Sequence, residues 1–183
     1  NPTDAELAKR IRNSESHAFK ILYYRYFEAL YGFIWQQTRN YELSEDLTQE
    51  VFYRIWAGRK KVNPQRAIKS YLYRTAKNLV IDHRRKQSLE REYWTRTQSG
   101  QAQNLEADEI DIRDEILSTI DDLPEPLRIV FTLSRFEGLK YKEIAETLNV
   151  SIKTVQSRMS KALKILQEKL HHLLTNTIFL HFF

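Results

Sequence analysis

A chain of 183 residues without cysteine can hold one or two small domains with cores of their own, and it excludes a disulfide framework, a thiolate metal site and a cysteine nucleophile. Four glycines and four prolines leave few turns, and abundant Leu, Lys, Glu, Arg and Gln favour helix, so an all-α protein is expected. The net charge of +5 is unevenly spread: residues 1–86 carry 17 Lys/Arg against 9 Asp/Glu, residues 87–122 carry 3 against 10, and residues 123–183 carry 9 against 5.

Taken in chain order, Thr3 and Glu6 have capping-box spacing, and Leu7, Ala8 and Ile11 predict a short amphipathic helix ending near Arg12. Ser14 or Ser16 is expected to cap the next helix, His17 to Arg39, whose apolar residues from Phe19 to Ile34 recur at helical spacing. Ser44 is then expected to cap a helix through Trp56, with Leu47, Val51, Phe52, Ile55 and Trp56 on its inner half and Asp46, Gln49, Glu50 and Tyr53 opposite. Gly58 and Asn63-Pro64 mark a basic loop, and a last helix of this region runs from about Ala67 to Lys86. Its inner stripe is read as Leu72, Thr75, Ala76 and Leu79, with Arg74, Lys77, Asn78, Arg84 and Arg85 outward.

Residues 87–112 lose the periodicity, turn acidic and polar, and read as a flexible acidic linker between a domain of residues 1–86 and one of residues 113–183. Helical periodicity resumes at Ile112, breaks at Pro124 and Pro126, and resumes from Leu127 to Phe136, with Gly138 as a stop. Helices over Tyr141–Leu148 and Ser151–Leu174 follow, separated only by Asn149-Val150, which is helix-turn-helix spacing. Ile144, Ala145, Leu148, Val150 and Val155 would pack the two helices, and Ser151 would cap the second. The second helix directs Lys153, Thr154, Gln156, Ser157, Arg158 and Lys161 outward, where they can donate to base edges and phosphates. On spacing alone, an ordinary helical hairpin with a solvated polar face remains an alternative. The apolar end, Thr177–Phe183, is too short to cross a membrane and is given no function.

The run from Leu123 through Ala145, continuing into Ser151-Ile-Lys-Thr-Val155, resembles region 4 of extracytoplasmic-function (ECF) sigma factors. The runs Asp46–Trp56 and Tyr71–Arg85 resemble region 2, and together the motifs span nearly the whole chain in the family's order. The resemblance implies two small helical domains and a transcription initiation factor that directs core RNA polymerase to promoters and melts the minus-ten element. It implies that Asp46, Gln49, Glu50 and Tyr53 meet the clamp helices of the largest polymerase subunit, with the flap as a second contact, where acids would face basic partners. It places a base pocket in the loop Lys61–Gln65, including Lys61, Val62 and Asn63, together with Asn78, and single-stranded DNA along Arg74, Lys77, Arg84 and Arg85. Val62 stands at the pocket wall, and Tyr71 replaces a tryptophan common in the family. For the minus-thirty-five element it implies Ser151, Lys153, Thr154, Gln156, Ser157, Arg158, Ser160 and Lys161. The acidic linker would occupy the basic nucleic-acid channel of polymerase, and an anti-sigma factor is the expected inhibitor.

The competing reading is a helix-turn-helix regulator that binds DNA without joining polymerase. No enzyme activity, cofactor or metal site is expected: there is no Walker loop, no GxGxxG and no HExxH, and the five histidines have no metal-binding spacing. With no apolar run of about 18 residues and no signal-peptide pattern, a soluble cytoplasmic protein without membrane insertion is expected.

Overall fold

The computed structural model describes residues 2–64, 67–94 and 112–171. Among them are eight α-helices, one 3-10 turn and no strand. The helices fall into two compact units, the first built from α1–α4 and the second from α5, α6, α8 and most of α7.

The first unit opens with α1 (Asp4–Arg12), whose capping box forms as its sequence predicts. Thr3 Oγ1 accepts from the Glu6 amide at 3.3 Å, and the Thr3 amide donates to Glu6 Oε2 at 2.7 Å. These bonds hold the Glu6 carboxyl below the ordinary glutamate pKa, the backbone amide of Thr3 being the largest cause. Leu7, Ala8 and Ile11 are buried against α2 (Ser16–Thr38) and α4 (Ile68–Trp94). A second tie is side-chain based: Asp4 accepts from the Tyr26 hydroxyl of α2 and pairs with Arg25 at 2.7 Å.

Neither Ser14 nor Ser16 caps α2. Its N-cap is Glu15, without a side-chain cap bond, because the three-residue connection needs a left-handed residue to turn the chain and Ser14 takes that conformation at φ 68°. The Ser14 hydroxyl is used elsewhere, accepting from Arg59 Nε at 3.0 Å. Along α2 the buried residues Ala18, Leu22, Tyr26, Leu30, Phe33, Ile34 and Gln37 form one stripe at three- and four-residue steps. The helix ends at Arg39, which is left-handed at φ 51° and lays its guanidinium 4.5 Å from the Trp35 ring.

The cap of α3 (Tyr41–Ala57) is Asn40, whose side chain accepts from the Leu43 amide at 3.0 Å, and not Ser44. Ser44 sits one turn inside the helix, fully buried, and its hydroxyl donates to the Asn40 carbonyl at 2.6 Å. Thr48 repeats the pattern with the Ser44 carbonyl, also at 2.6 Å. Ser44 and Thr48 continue the stripe of Val51 and Ile55, so α3 packs small hydroxyl residues near the tight α2–α3 turn and branched apolar ones beyond it. Burial is tolerable because each hydroxyl finds a carbonyl four residues back. Helix α4 buries Ile68, Leu72, Tyr73, Ala76, Leu79 and Val80, adding Ile68, Tyr73 and Val80 to the expected stripe and leaving Thr75 only half-buried, and it runs to Trp94 where the sequence reading stopped at Lys86. The linker residues 95–111 and the chain beyond residue 171 lie outside the described residues.

In the second unit, α5 (Ile112–Asp121) is followed by α6 (Glu125–Arg135), which begins before Pro126. Pro126 does not break the helix, because the first turn has no amide partner to lose. Arg128 of α6 donates to the Asp121 carbonyl at the end of α5. Helix α7 (Tyr141–Leu148) leads through Asn149, left-handed at φ 53°, into α8 (Ile152–Lys169). The Val150 amide reaches back to the Ala145 carbonyl at 3.0 Å, which closes the turn in Schellman fashion. Ser151 caps α8 as expected, accepting from the Thr154 amide at 3.0 Å. Val155, Met159, Ala162 and Leu166 form the buried stripe of α8, which packs on α6 and α5.

Candidate nucleic-acid interface

Three surfaces carry the residues singled out from the sequence. On α8 the buried stripe fixes what the opposite side must show. Lys153, Gln156, Ser157, Ser160 and Lys161 are exposed there, while Thr154 and Arg158 are half-buried at the flanks. Ser151 is exposed, but its hydroxyl is committed to the cap and to Thr154 Oγ1 at 2.8 Å. The exposed stripe therefore offers amide, hydroxyl and ammonium groups on one helix, the donor set suited to base edges and phosphates. Ile152, missed in the sequence reading, is 46% exposed in the first turn of the same helix. An aliphatic side chain there suits contact with a thymine methyl. The sequence hid it: Ile152 stands three and seven residues before Val155 and Met159, on their stripe by spacing, and only its place in the first turn leaves it exposed.

On α3 the predicted partner residues fall together at positions 46, 49, 50 and 53, one stripe of the helix. Asp46 and Gln49 are exposed, Glu50 is half-buried, and Tyr53 is 66% exposed. Arg54 Nε donates to Glu50 Oε1 at 2.7 Å, an exposed pair of small energetic weight. With Glu42 and Glu45 also exposed, this helix presents an acidic face on an otherwise basic unit.

The third surface lies around the loop after the 3-10 turn Arg59–Lys61. Lys61 and Asn63 are exposed, whereas Val62 is 5% exposed and anchors the loop to the core. Gln65 lies outside the described residues. The loop forms one wall of an open groove of about 860 Å3 whose other wall is the end of α1, with Lys9, Arg12 and Asn13. Asn78 is exposed on α4 but does not line this groove. Arg74 and Lys77 are half-buried, Tyr71 likewise, and Arg85 is exposed. Arg84 departs from the outward placement expected of it: half-buried, it donates from Nη2 to the Gln37 carbonyl at 2.6 Å in the last turn of α2. A cation at that helix end satisfies a carbonyl and complements the helix dipole. No helix of the described residues is long and apolar enough to cross a membrane.

Comparison with known proteins accounts for both units. Residues 22–90 match the family model described as Sigma-70 region 2, and residues 113–166 match Sigma-70, region 4. The chain is 28% identical to the RNA polymerase sigma-H factor of Pseudomonas aeruginosa over 93% of its own length and 95% of that protein. It is also 28% identical to the ECF RNA polymerase sigma-E factor of Escherichia coli, over 94% and 96%. Among solved structures, its fold matches the sigma factor RpoE of Bartonella quintana, crystallised with the anti-sigma factor NepR, at a TM-score of 0.68 and 22% identity, covering 84% of this chain and 96% of that one. With region 2 and region 4 present in order and full-length relatives of the same kind, the chain belongs to the sigma-70 family of RNA polymerase sigma factors, in its extracytoplasmic-function group.

Proposed function

We propose that this sigma factor joins core RNA polymerase through the acidic α3 face, engages the melted minus-ten strand with the Lys61–Asn63 loop and the outer face of α4, and reads the minus-thirty-five element with α8. One observation carries the reading: α8 is capped at Ser151 and anchored by Val155, Met159, Ala162 and Leu166, which leaves its polar stripe open for a major groove. On α4, Arg74, Lys77, Asn78 and Arg85 supply the cations and amide that a displaced strand requires, while Arg84 has mainly a helix-end role. Asp46, Gln49, Glu50 and Tyr53 would meet the clamp helices of the largest subunit, and the second unit would meet the flap. The structural relative was captured with an anti-sigma factor, and a partner of that kind is the inhibitor we expect here. A DNA-binding regulator that never joins polymerase is not favoured, since it leaves the region 2 match over residues 22–90 without a role.

The test is reconstitution. Purified core polymerase should begin promoter-specific transcription only when this chain is added, and duplex binding by the chain with no effect on initiation would return the regulator reading.

A further inference from the structure

We propose that the end of α1 is an anion clamp: Lys9 and Arg12, facing Lys60 and Lys61 across the groove, hold the sugar-phosphate backbone of a single DNA strand. The inference rests on the reading of the Lys61–Asn63 loop as a strand-binding element and extends it to a helix to which no role has been given. Four cations line the groove and no carboxylate does. Among the described residues none of the four is joined in an ion pair, whereas neighbouring Arg10 is matched by Glu15 at 2.8 Å. Complementing the dipole at the end of α1 accounts for Lys9 and Arg12, but it does not account for two further lysines converging from a segment fifty residues away. Left without an anion, four like charges around one recess repel one another, and a phosphate chain relieves that repulsion.

The walls are held in place before any ligand arrives. Arg59 bridges them, donating from Nε to Ser14 at 3.0 Å and from Nη1 to the Trp56 carbonyl at 2.8 Å, with its guanidinium 4.6 Å from the Trp56 ring. Buried Val62 fixes the loop, and the Lys61 and Val62 amides bond back to Gly58 and Arg59. The groove, of about 860 Å3 and open to solvent, has room for a few linked nucleotides of a flexible strand. No aromatic ring lines it, so stacking contributes little and the binding should be dominated by phosphate charge and by salt.

The experiment is a fluorescence-anisotropy titration of the full chain, across salt, with a labelled mixed-sequence single strand of deoxyribonucleotides and with the matching duplex. Lys9→Ala/Arg12→Ala should flatten the slope of log affinity against log salt for the single strand by about 1.4, the release of two counterions from single-stranded DNA. Arg10→Ala, whose charge is already paired, should change the slope by less than half as much. Lys60→Ala/Lys61→Ala is the arm for the loop. If it flattens the slope and the α1 pair does not, the clamp is overturned and the loop reading stands. If neither pair does, or the chain does not bind the strand, both fall; flattening by the α1 pair alone removes the loop and with it the clamp, which needs both walls, whereas flattening by both pairs supports it. Equal losses on strand and duplex overturn the single-strand assignment. Circular dichroism of each variant should be unchanged, since none of the replaced side chains belongs to the core.

Discussion

Asp4 shows how much one short side chain can organise, since it receives both the Tyr26 hydroxyl and Arg25 and so fastens α1 to α2. Tyr26→Phe should cost about 1.5 kcal/mol, the upper part of the range for one hydrogen bond because the acceptor is charged, although Arg25 still satisfies Asp4. Urea denaturation should report it as a lower midpoint with unchanged slope. Glu6 gives a pH signature at the same helix. Its folded pKa lies below the unfolded value, so its contribution is present above the unfolded pKa and is lost as pH falls through the folded one. NMR titration should find Glu6 below the ordinary glutamate value, and Thr3→Ala should raise it only part of the way, because the Thr3 amide, the larger cause, is kept. At the polymerase face, Gln49→Ala with Glu50→Arg should weaken core binding while leaving stability almost unchanged, because neither side chain belongs to the core. Unaltered affinity in a core-polymerase titration would mean the α3 stripe is only solvated surface.

At the scale of elements, the α7–α8 turn depends on Asn149 in the left-handed region. Asn149→Gly should be tolerated within a few tenths of a kcal/mol, and Asn149→Val should cost at least 1 to 2 kcal/mol by straining a β-branched residue there. Thermal unfolding of the two variants tests the difference. Within α8 itself, position and sequence should separate. Lys153→Ala should weaken cognate and scrambled duplexes alike and flatten the salt slope by about one counterion, whereas Gln156→Ala should cost roughly 1 to 3 kcal/mol on the cognate element only. Identical losses and slopes for both variants on both duplexes would falsify that division.

The helices readable in advance were those whose signals are local. The Thr3–Glu6 box and the Ser151 cap each join residues three apart, and the Asn149-Val150 connection is too short for anything but a tight turn. The misread positions were those where several local signals compete. Ser44 and Asn40 are both good caps, and what decided between them is that Ser44 and Thr48 lie on the stripe of Val51 and Ile55 and are drawn into the core. Pro126 looked like a break and is a helix start, since a first-turn proline loses no bond.

At the scale of the whole molecule, charge is arranged in blocks, with basic ends around an acidic middle. If that middle competes for the nucleic-acid channel of polymerase, changing Glu106, Asp108, Glu109 and Asp111 to their amides should weaken core binding most at low salt, where charges are least screened. Equal affinity at all salt concentrations would reduce the segment to a tether. Residue order alone determined the helical class, the periodic faces of α3 and α8 and the family, because each is carried by repeats and motifs within a few turns of chain. Tertiary structure alone decided that Arg84 serves the end of α2 and that Lys9 and Arg12 face Lys60 and Lys61. Each of those facts joins residues some fifty positions apart, and no local propensity specifies which distant backbone a side chain meets until the core has packed.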